Sequence, residues 1–145
     1  MSRPLKAAII GAGGISQSHF DGYRAAGVEV VAISDVDAAA LARRLGEWGL
    51  ERGYTDNAQL FEAGGFDMVS IAAPTAVHHP ATLAAAAAGV HVLVEKPLAL
   101  DLTLADEMIE ACKRAGVILM VNHQLRSSAA ASKARELIQA GAIGR

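Results

Sequence analysis

Apolar runs of strand length alternate with segments of helical periodicity along the whole 145-residue chain. These runs are continuous, which is typical of strands that are covered on both faces, as in parallel sheets. We predict five of them, at residues 5–10, 28–34, 68–73, 90–94 and 117–121. Strands that alternate with helices form right-handed crossovers. The pattern therefore predicts an α/β fold, a Rossmann-type doubly wound parallel sheet with helices on both faces.

The segments between the strands carry the start and stop signals of helices. Asp37, Asp56 and Asp101 stand where a side-chain oxygen can cap a first turn, and Gly27 and Gly116 stand just beyond a last turn. We predict helices at residues 15–26, 38–48, 57–63, 76–88, 102–115 and 129–140. At about 150 residues per domain, the length indicates one domain.

Composition narrows the classes of function. Hydrophobic residues make up 52% of the chain and charged residues 19%, which excludes intrinsic disorder. A net charge of −2 provides no excess of positive charge to attract nucleic acid or an anionic membrane, so we expect neither as a partner. The single cysteine, Cys112, excludes a disulfide framework and is expected in the core. We therefore expect a cytoplasmic protein, and the histidine spacing predicts no metal site.

A glycine-rich turn follows the first predicted strand and opens the first predicted helix. Gly11 permits a tight turn, and Gly13 lets the backbone approach a pyrophosphate at the N-terminus of the helix. Ser16 stands in the place of the third glycine of the dinucleotide-binding fingerprint, and serine is small enough for close packing of helix on sheet. The alternative is an ordinary bend between a strand and a helix.

The acidic residue of the same fingerprint is Asp35, which follows the second strand. A carboxylate there accepts hydrogen bonds from the ribose hydroxyls and repels a 2′-phosphate, so the sequence favours NAD over NADP. The alternative makes Asp35 an ordinary turn residue. Arg43 and Arg44, on the next helix, are expected to be solvated.

Polar clusters follow the third, fourth and fifth of these strands, where open α/β sheets bind ligands. They are Ala73-Pro74-Thr75-Ala76-Val77-His78, Glu95-Lys96-Pro97 and Asn122-His123-Gln124-Leu125-Arg126. His78 is a candidate cofactor contact, and a capping or packed histidine is the alternative. We assign His19 to structure or surface.

Lys96 is the candidate catalytic residue. It emerges from a buried strand between Glu95, whose carboxylate can hold the ammonium, and Pro97, which favours extended backbone. Partial burial makes the pKa of a lysine adjustable, and such a group can polarise a carbonyl or hold an alcohol oxygen beside a nicotinamide. The alternative is a surface ion pair beside a turn.

Taken in order, these motifs resemble the N-terminal domain of the Gfo/Idh/MocA family of NAD(P)-dependent oxidoreductases. The resemblance rests on the glycine turn, Pro74-Thr75-x-x-His78, Glu95-Lys96-Pro97, Asn122-His123-Gln124-x-Arg126 and Leu137-Ile138-x-x-Gly141-x-Ile143-Gly144. It implies hydride transfer between a nicotinamide and a hydroxyl or carbonyl carbon of a sugar, a polyol or a similar small molecule. Lys96 matches the catalytic or substrate-orienting lysine, with Glu95 near the cofactor.

The resemblance also implies a set of cofactor contacts. Those for the adenosine and pyrophosphate are Gly11, Gly13, Gly14, Ile15 and Asp35, and those that line the cofactor further along are Ala73, Pro74, Thr75, His78, Asn122 and Gln124.

The resemblance further implies how the chain is divided. Residues 1–126 would form the dinucleotide-binding domain, and residues 127–145 a terminal helix that leads to a second, substrate-binding domain absent from this chain. That second domain usually forms the interface of a homo-oligomer, and without it turnover would be poor. Ser127 and Ala129 depart from the family pattern, in which an aromatic residue and a proline are common there.

Two other functions fit part of the pattern. A non-catalytic, stand-alone NAD-binding module would use the same glycine turn, but Glu95-Lys96-Pro97 favours an enzyme. An S-adenosylmethionine-dependent methyltransferase shares the glycine turn and the ribose-binding acid, but it does not account for that tripeptide.

Overall fold

The computed structural model describes residues 3–144, and it has one parallel sheet of six strands in the order β3-β2-β1-β4-β5-β6. The strands are β1 (Lys6–Ile10), β2 (Glu29–Ser34), β3 (Gly53–Tyr54), β4 (Met68–Ile71), β5 (His91–Val94) and β6 (Leu119–Val121). The order reverses between β1 and β4, and every pairing is parallel. The predicted doubly wound α/β fold is confirmed.

The helices alternate with the strands as predicted. They are α1 (Gly14–Ala25), α2 (Ala38–Trp48), α3 (Asn57–Ala63), α4 (Thr75–Ala87), α5 (Leu102–Ala115) and α6 (Ala129–Gln139), with a 3-10 helix at Gln124–Ser127. Asp37, Asp56 and Asp101 cap α2, α3 and α5 through their side chains, as their positions indicated.

The sheet separates two apolar cores, and β1 contributes to both. Ala7 and Ile9 face the core beneath α1 and α2, whereas Ala8 and Ile10 face the core beneath α4 and α5. Alternate residues of one strand point to opposite faces, which explains why the run is apolar without interruption. Cys112 lies in the second core and is 2% exposed, and burial raises the pKa of its thiol, so the prediction of a core cysteine is confirmed.

Strand β3 is the strand that the sequence did not predict. It consists of Gly53 and Tyr54, which pair with Ile33 and Ser34 at the edge of the sheet. A run of two residues has no periodicity to recognise, and its pairing with β2 depends on contacts made by the rest of the fold.

The C-terminal part of the described chain packs least. Helix α6 contributes no buried residue, and its main contacts are with the 3-10 helix that precedes it. The predicted segment 127–145 ends at Arg145, which lies outside the described residues, as do Met1 and Ser2 of the predicted domain 1–126. Within residues 3–144, no helix is both long and apolar enough to cross a membrane.

Candidate functional site at the carboxyl edge of the sheet

The backbone hydrogen bonds between neighbouring strands continue one residue past the carboxyl ends of the central strands. They bring the candidate loops together. The amide of Gly11 donates to the carbonyl of Ser34 at 2.7 Å, that of Glu95 to Ile71 at 3.0 Å, and that of Asn122 to Val94 at 2.8 Å. Residues that are far apart in sequence therefore leave the sheet side by side. The glycine turn, Asp35, the Glu95-Lys96-Pro97 loop and Asn122 share one edge.

Gly11 is required by the fold itself. Its φ is +107°, and a Cβ there would lie 2.4 Å from the backbone carbonyl oxygen of Ala72. The turn consequently passes close to the end of β4, which no side chain at position 11 would permit.

The fold does not require glycine at positions 13 and 14. A Cβ at either position would meet nothing within 4 Å, and Gly13 has an ordinary φ of −70°. Helix α1 begins here without a side-chain cap and without an acidic residue in its first turn. The open space in front of these glycines, at the positive end of a helix dipole, fits a bound pyrophosphate.

Ser16 takes the place of the third glycine without disturbing the packing. It is completely buried, and its hydroxyl donates to the carbonyl of Gly13 at 2.6 Å. The prediction that a serine can pack here is confirmed.

Asp35 links the glycine turn to the start of α2. One carboxylate oxygen, Oδ2, accepts the amide of Ala12 at 2.6 Å, and the other, Oδ1, accepts the amide of Asp37 at 2.8 Å. A carboxylate oxygen has a second lone pair, so both can still accept from a ribose hydroxyl. Asp35 also lines a cavity of about 90 Å³ together with Gly11, Ala73 and Pro74.

The expectation for Arg44 was wrong. Its side chain is 12% exposed, and it donates to the carbonyls of Ala12 at 3.3 Å and Gly13 at 3.0 Å. Its guanidinium also lies 5.3 Å from the centre of the Trp48 ring. Arg44 thus holds the glycine turn from the side of α2, and only the folded chain brings these residues, more than 30 positions apart, into contact.

His78 is packed beneath the site. Its side chain is 1% exposed, and Nδ1 lies 2.9 Å from the carbonyl oxygen of Pro97 while Nε2 lies 2.9 Å from that of Ala73. Both ring nitrogens are therefore occupied by backbone groups. His78 joins the loop after β4 to the loop after β5, and a direct contact of its ring with a cofactor stays a prediction.

The prediction that Glu95 holds the Lys96 ammonium was wrong. Within residues 3–144 no ion pair joins these two side chains. Instead Glu95 Oε1 accepts from Asn122 Nδ2 at 2.6 Å and lies 3.1 Å from His19 Nε2. The Glu95 side chain is 7% exposed and faces inward, whereas Lys96 is exposed rather than half-buried. Their side chains leave the strand end in different directions, since successive residues of extended backbone alternate in direction.

Burial and hydrogen bonding act in opposite directions on Glu95. Burial raises the pKa of its carboxyl, but the hydrogen bonds from Asn122, His19 and the Lys96 amide together lower this pKa below its usual value of 4.5. Glu95 is therefore ionised at neutral pH although it is buried.

The remaining candidates lie at the same edge. Ile15, Asn122 and Gln124 line a cavity of about 430 Å³ between α1 and the ends of β5 and β6. Thr75 is the half-buried first residue of α4. Asp35 and Pro74 line the smaller cavity near β2, so the predicted contacts fall into two groups along one edge.

We expect acid to destabilise the fold partly through Glu95. A carboxyl whose pKa is lowered by folding stabilises the folded state above its unfolded pKa of about 4.5, and this contribution is lost as the pH falls through the lower, folded pKa. Urea unfolding at a series of pH values should give a free energy of unfolding that declines below about pH 4.5, with a shallower decline in Glu95→Gln.

Asp67 supplies the control for this pH experiment. Its carboxylate is bonded by Arg3 and by the Lys6 amide, and these hydrogen bonds also lower the pKa of Asp67. The variant Asp67→Asn should therefore retain the part of the decline that Glu95→Gln loses. An identical pH profile for Glu95→Gln and the unaltered chain would contradict the lowering of the Glu95 pKa by folding.

Known proteins share this sheet and its loops. Residues 5–123 match the model of a family described as "Oxidoreductase family, NAD-binding Rossmann fold". Among the curated relatives, a D-apiose dehydrogenase of Paraburkholderia graminis is 39% identical over 97% of this chain and 38% of its own length. A 1,5-anhydro-D-fructose reductase of Ensifer adhaerens is 40% identical over 94% of this chain and 41% of its own length.

Solved structures agree closely in the backbone. An oxidoreductase from Agrobacterium radiobacter, in complex with NAD+, L-tartaric acid and magnesium, has a TM-score of 0.92 and is 33% identical over 99% of this chain and 42% of its own. The WlbA dehydrogenase from Bordetella pertussis, in complex with NADH and UDP-GlcNAcA, has a TM-score of 0.92 and is 30% identical over 99% of this chain and 44% of its own. The chain thus spans less than half the length of these relatives.

Proposed function

Because the chain belongs to the Gfo/Idh/MocA family of oxidoreductases with an NAD-binding Rossmann fold, we propose that it is the nucleotide-binding part of an enzyme that transfers hydride between NAD and a hydroxyl or carbonyl carbon. The substrate class is a sugar, a polyol or a similar small molecule, as the names of the relatives suggest. The observation that carries the proposal is the open space in front of Gly13 and Gly14 at the uncapped start of α1.

The binding residues divide along the edge of the sheet. Gly11, Gly13, Gly14 and the start of α1 bind the pyrophosphate, and Asp35 accepts hydrogen bonds from the ribose hydroxyls at the end of the cavity lined by Ala73 and Pro74. Ile15, Asn122 and Gln124, which line the larger cavity, would hold the nicotinamide end of the cofactor, and Thr75 and the Glu95 loop would contact it between the two ends. Arg44 holds the glycine turn through the carbonyls of Ala12 and Gly13.

Lys96 acts on the substrate. NAD, when bound, accepts or donates the hydride at its nicotinamide ring. The Lys96 ammonium donates a hydrogen bond to the substrate oxygen, which polarises a carbonyl during reduction and holds the hydroxyl during oxidation. Because Glu95 is bonded to other groups, the Lys96 side chain is free to reach a substrate on the exposed side of the loop.

Titration with NADH tests the proposal directly. Trp48 is the single tryptophan of the chain, and it lies against Arg44, which holds the glycine turn. We expect NADH to quench the emission of Trp48 and to emit by energy transfer. NADPH should bind at least about tenfold more weakly, because Asp35 repels its 2′-phosphate.

The titrations with NADH and NADPH test different parts of the proposal. Absence of any change up to NADH concentrations on the order of 1 mM would overturn NAD binding by this chain. Equal affinity for NADH and NADPH would overturn only the role of Asp35 in choosing between them.

Other features of the whole protein stay predictions. These are the division at residue 126, a second domain that binds the substrate, a homo-oligomer formed through that domain, and a location in the cytoplasm. Unlike the fold, they depend on more than the described residues 3–144.

A further inference from the structure

We infer that His19 is a positioning residue for Lys96 and acts through the carboxylate of Glu95; the inference rests on the role proposed for Lys96. The starting point is a chain of buried polar side chains beneath the Lys96 loop. His19 Nε2 lies 3.1 Å from Glu95 Oε1, and His19 Nδ1 lies 2.9 Å from the hydroxyl oxygen of Ser70. The hydroxyl of Tyr23 lies 2.8 Å from the same oxygen of Ser70. His19 and Ser70 are 6% and 0% exposed, so both side chains are buried.

The directions of these hydrogen bonds follow from Glu95. An ionised carboxylate can only accept, so His19 Nε2 must carry a hydrogen. In the neutral ring Nδ1 is then an acceptor, to which the Ser70 hydroxyl donates. The Ser70 oxygen in turn accepts from the hydroxyl of Tyr23. One arrangement therefore satisfies every polar group from Tyr23 to Glu95 with a neutral histidine.

Glu95 connects this chain to the Lys96 backbone. Its Oε1 accepts from His19 and from Asn122, and its Oε2 accepts the amide of Lys96 at 3.2 Å. The donors on Oε1 fix the plane of the carboxylate, and that plane decides where Oε2 meets the amide of Lys96. On the other side of Lys96, His78 contacts the carbonyl of Pro97. Lys96 is thus exposed at its side chain and held at its backbone from both sides.

Two substitutions of His19 test its contacts with Glu95 and with Ser70 separately. The amide nitrogen of glutamine takes the place of Nε2, so His19→Gln keeps a donor for Glu95, whereas His19→Asn reaches only toward Ser70. We expect the amide of Lys96 to exchange with solvent about tenfold faster in His19→Asn, because its acceptor is no longer held. In His19→Gln the exchange rate should stay within about threefold of that in the unaltered chain.

Two controls separate this effect from a general loss of stability. The amide of Ile9, in the centre of the sheet, reports opening of the whole fold and is compared in each variant. Tyr23→Phe removes the far end of the polar chain and leaves the His19–Glu95 contact in place, so the exchange of the Lys96 amide should not change. Equal acceleration at Lys96 in His19→Gln and His19→Asn, or none in His19→Asn, would overturn the inference.

One measurement needs no substitution. Long-range proton–nitrogen spectra of the chain labelled with ¹⁵N-histidine should show a hydrogen on Nε2 of His19. A hydrogen on Nδ1 alone would overturn the inference, because Nε2 could not then donate to Glu95. These experiments contain no NADH, whereas the proposed function is tested by NADH titration. A failure of one is therefore distinguishable from a failure of the other.

Discussion

Replacing Gly11 with alanine is expected to destabilise the fold by about 4 kcal/mol, the combined effect of backbone strain and a steric clash. The φ of +107° is strained for any residue with a Cβ, and that Cβ would stand 2.4 Å from the carbonyl oxygen and 2.7 Å from the carbonyl carbon of Ala72. Neither atom can move away, because the amide of Ala72 donates a hydrogen bond to the carbonyl of Ile10 in the centre of the sheet. Urea unfolding, followed by the fluorescence of Trp48, measures the loss.

Gly89 provides the matched control for Gly11. It has a φ of +69°, and a Cβ there would meet nothing within 4 Å. Gly89→Ala therefore carries the backbone strain without the clash and should lose only about 1 kcal/mol. If Gly11→Ala were no less stable than Gly89→Ala, the close approach between the glycine turn and β4 would be wrong.

The sequence predicted the order of the elements because the signals involved are local. A continuous apolar run and the aspartates that cap α2, α3 and α5 each depend on neighbours within a few residues, and the structure confirms both. The same holds for the buried Ser16, whose size alone suited the close packing of α1 on the sheet. Strand β3 was missed because its two residues carry no period.

The contacts within the site could not be predicted in this way. His19 meets Glu95 across 76 positions, and Arg44 meets the carbonyl of Gly13 across 31. Such pairs exist only after the sheet has formed. Sequence proximity was even misleading for Glu95 and Lys96, because adjacent residues at the end of a strand direct their side chains apart. The side chain of Glu95 finds its partners in the core, and the side chain of Lys96 is exposed.

The sequence likewise did not distinguish between glycines required by the fold and glycines that a ligand requires. Gly11 and Gly13 belong to one turn, two residues apart, and a sequence motif treats them alike. The structure separates them, because the first stands against Ala72 and the second against open space. We therefore expect a substitution of Gly11 to lower the stability of the fold and a substitution of Gly13 to weaken cofactor binding.

Replacing Gly13 with valine should leave the chain folded and weaken NADH binding by about 100-fold, which corresponds to about 2.7 kcal/mol. The extended backbone of Gly13, with a φ of −70° and a ψ of −173°, accepts a β-branched residue, and no atom lies within 4 Å of the new Cβ. The valine side chain would instead fill the space through which a pyrophosphate approaches the N–H groups of α1. We expect the free energy of unfolding to change by less than about 1 kcal/mol.

Gly46 is the matched control for Gly13, since a Cβ there also meets nothing within 4 Å and the residue is exposed on α2. Gly46→Val makes the same chemical change away from the glycine turn, so NADH binding should be retained. The two variants are compared by titration of Trp48 fluorescence with NADH and by urea unfolding. Undiminished NADH affinity in a folded Gly13→Val protein would refute the assignment of this space to the pyrophosphate. Equal loss of affinity in both variants would trace the effect to a general disturbance of the fold, because only position 13 borders the uncapped start of α1.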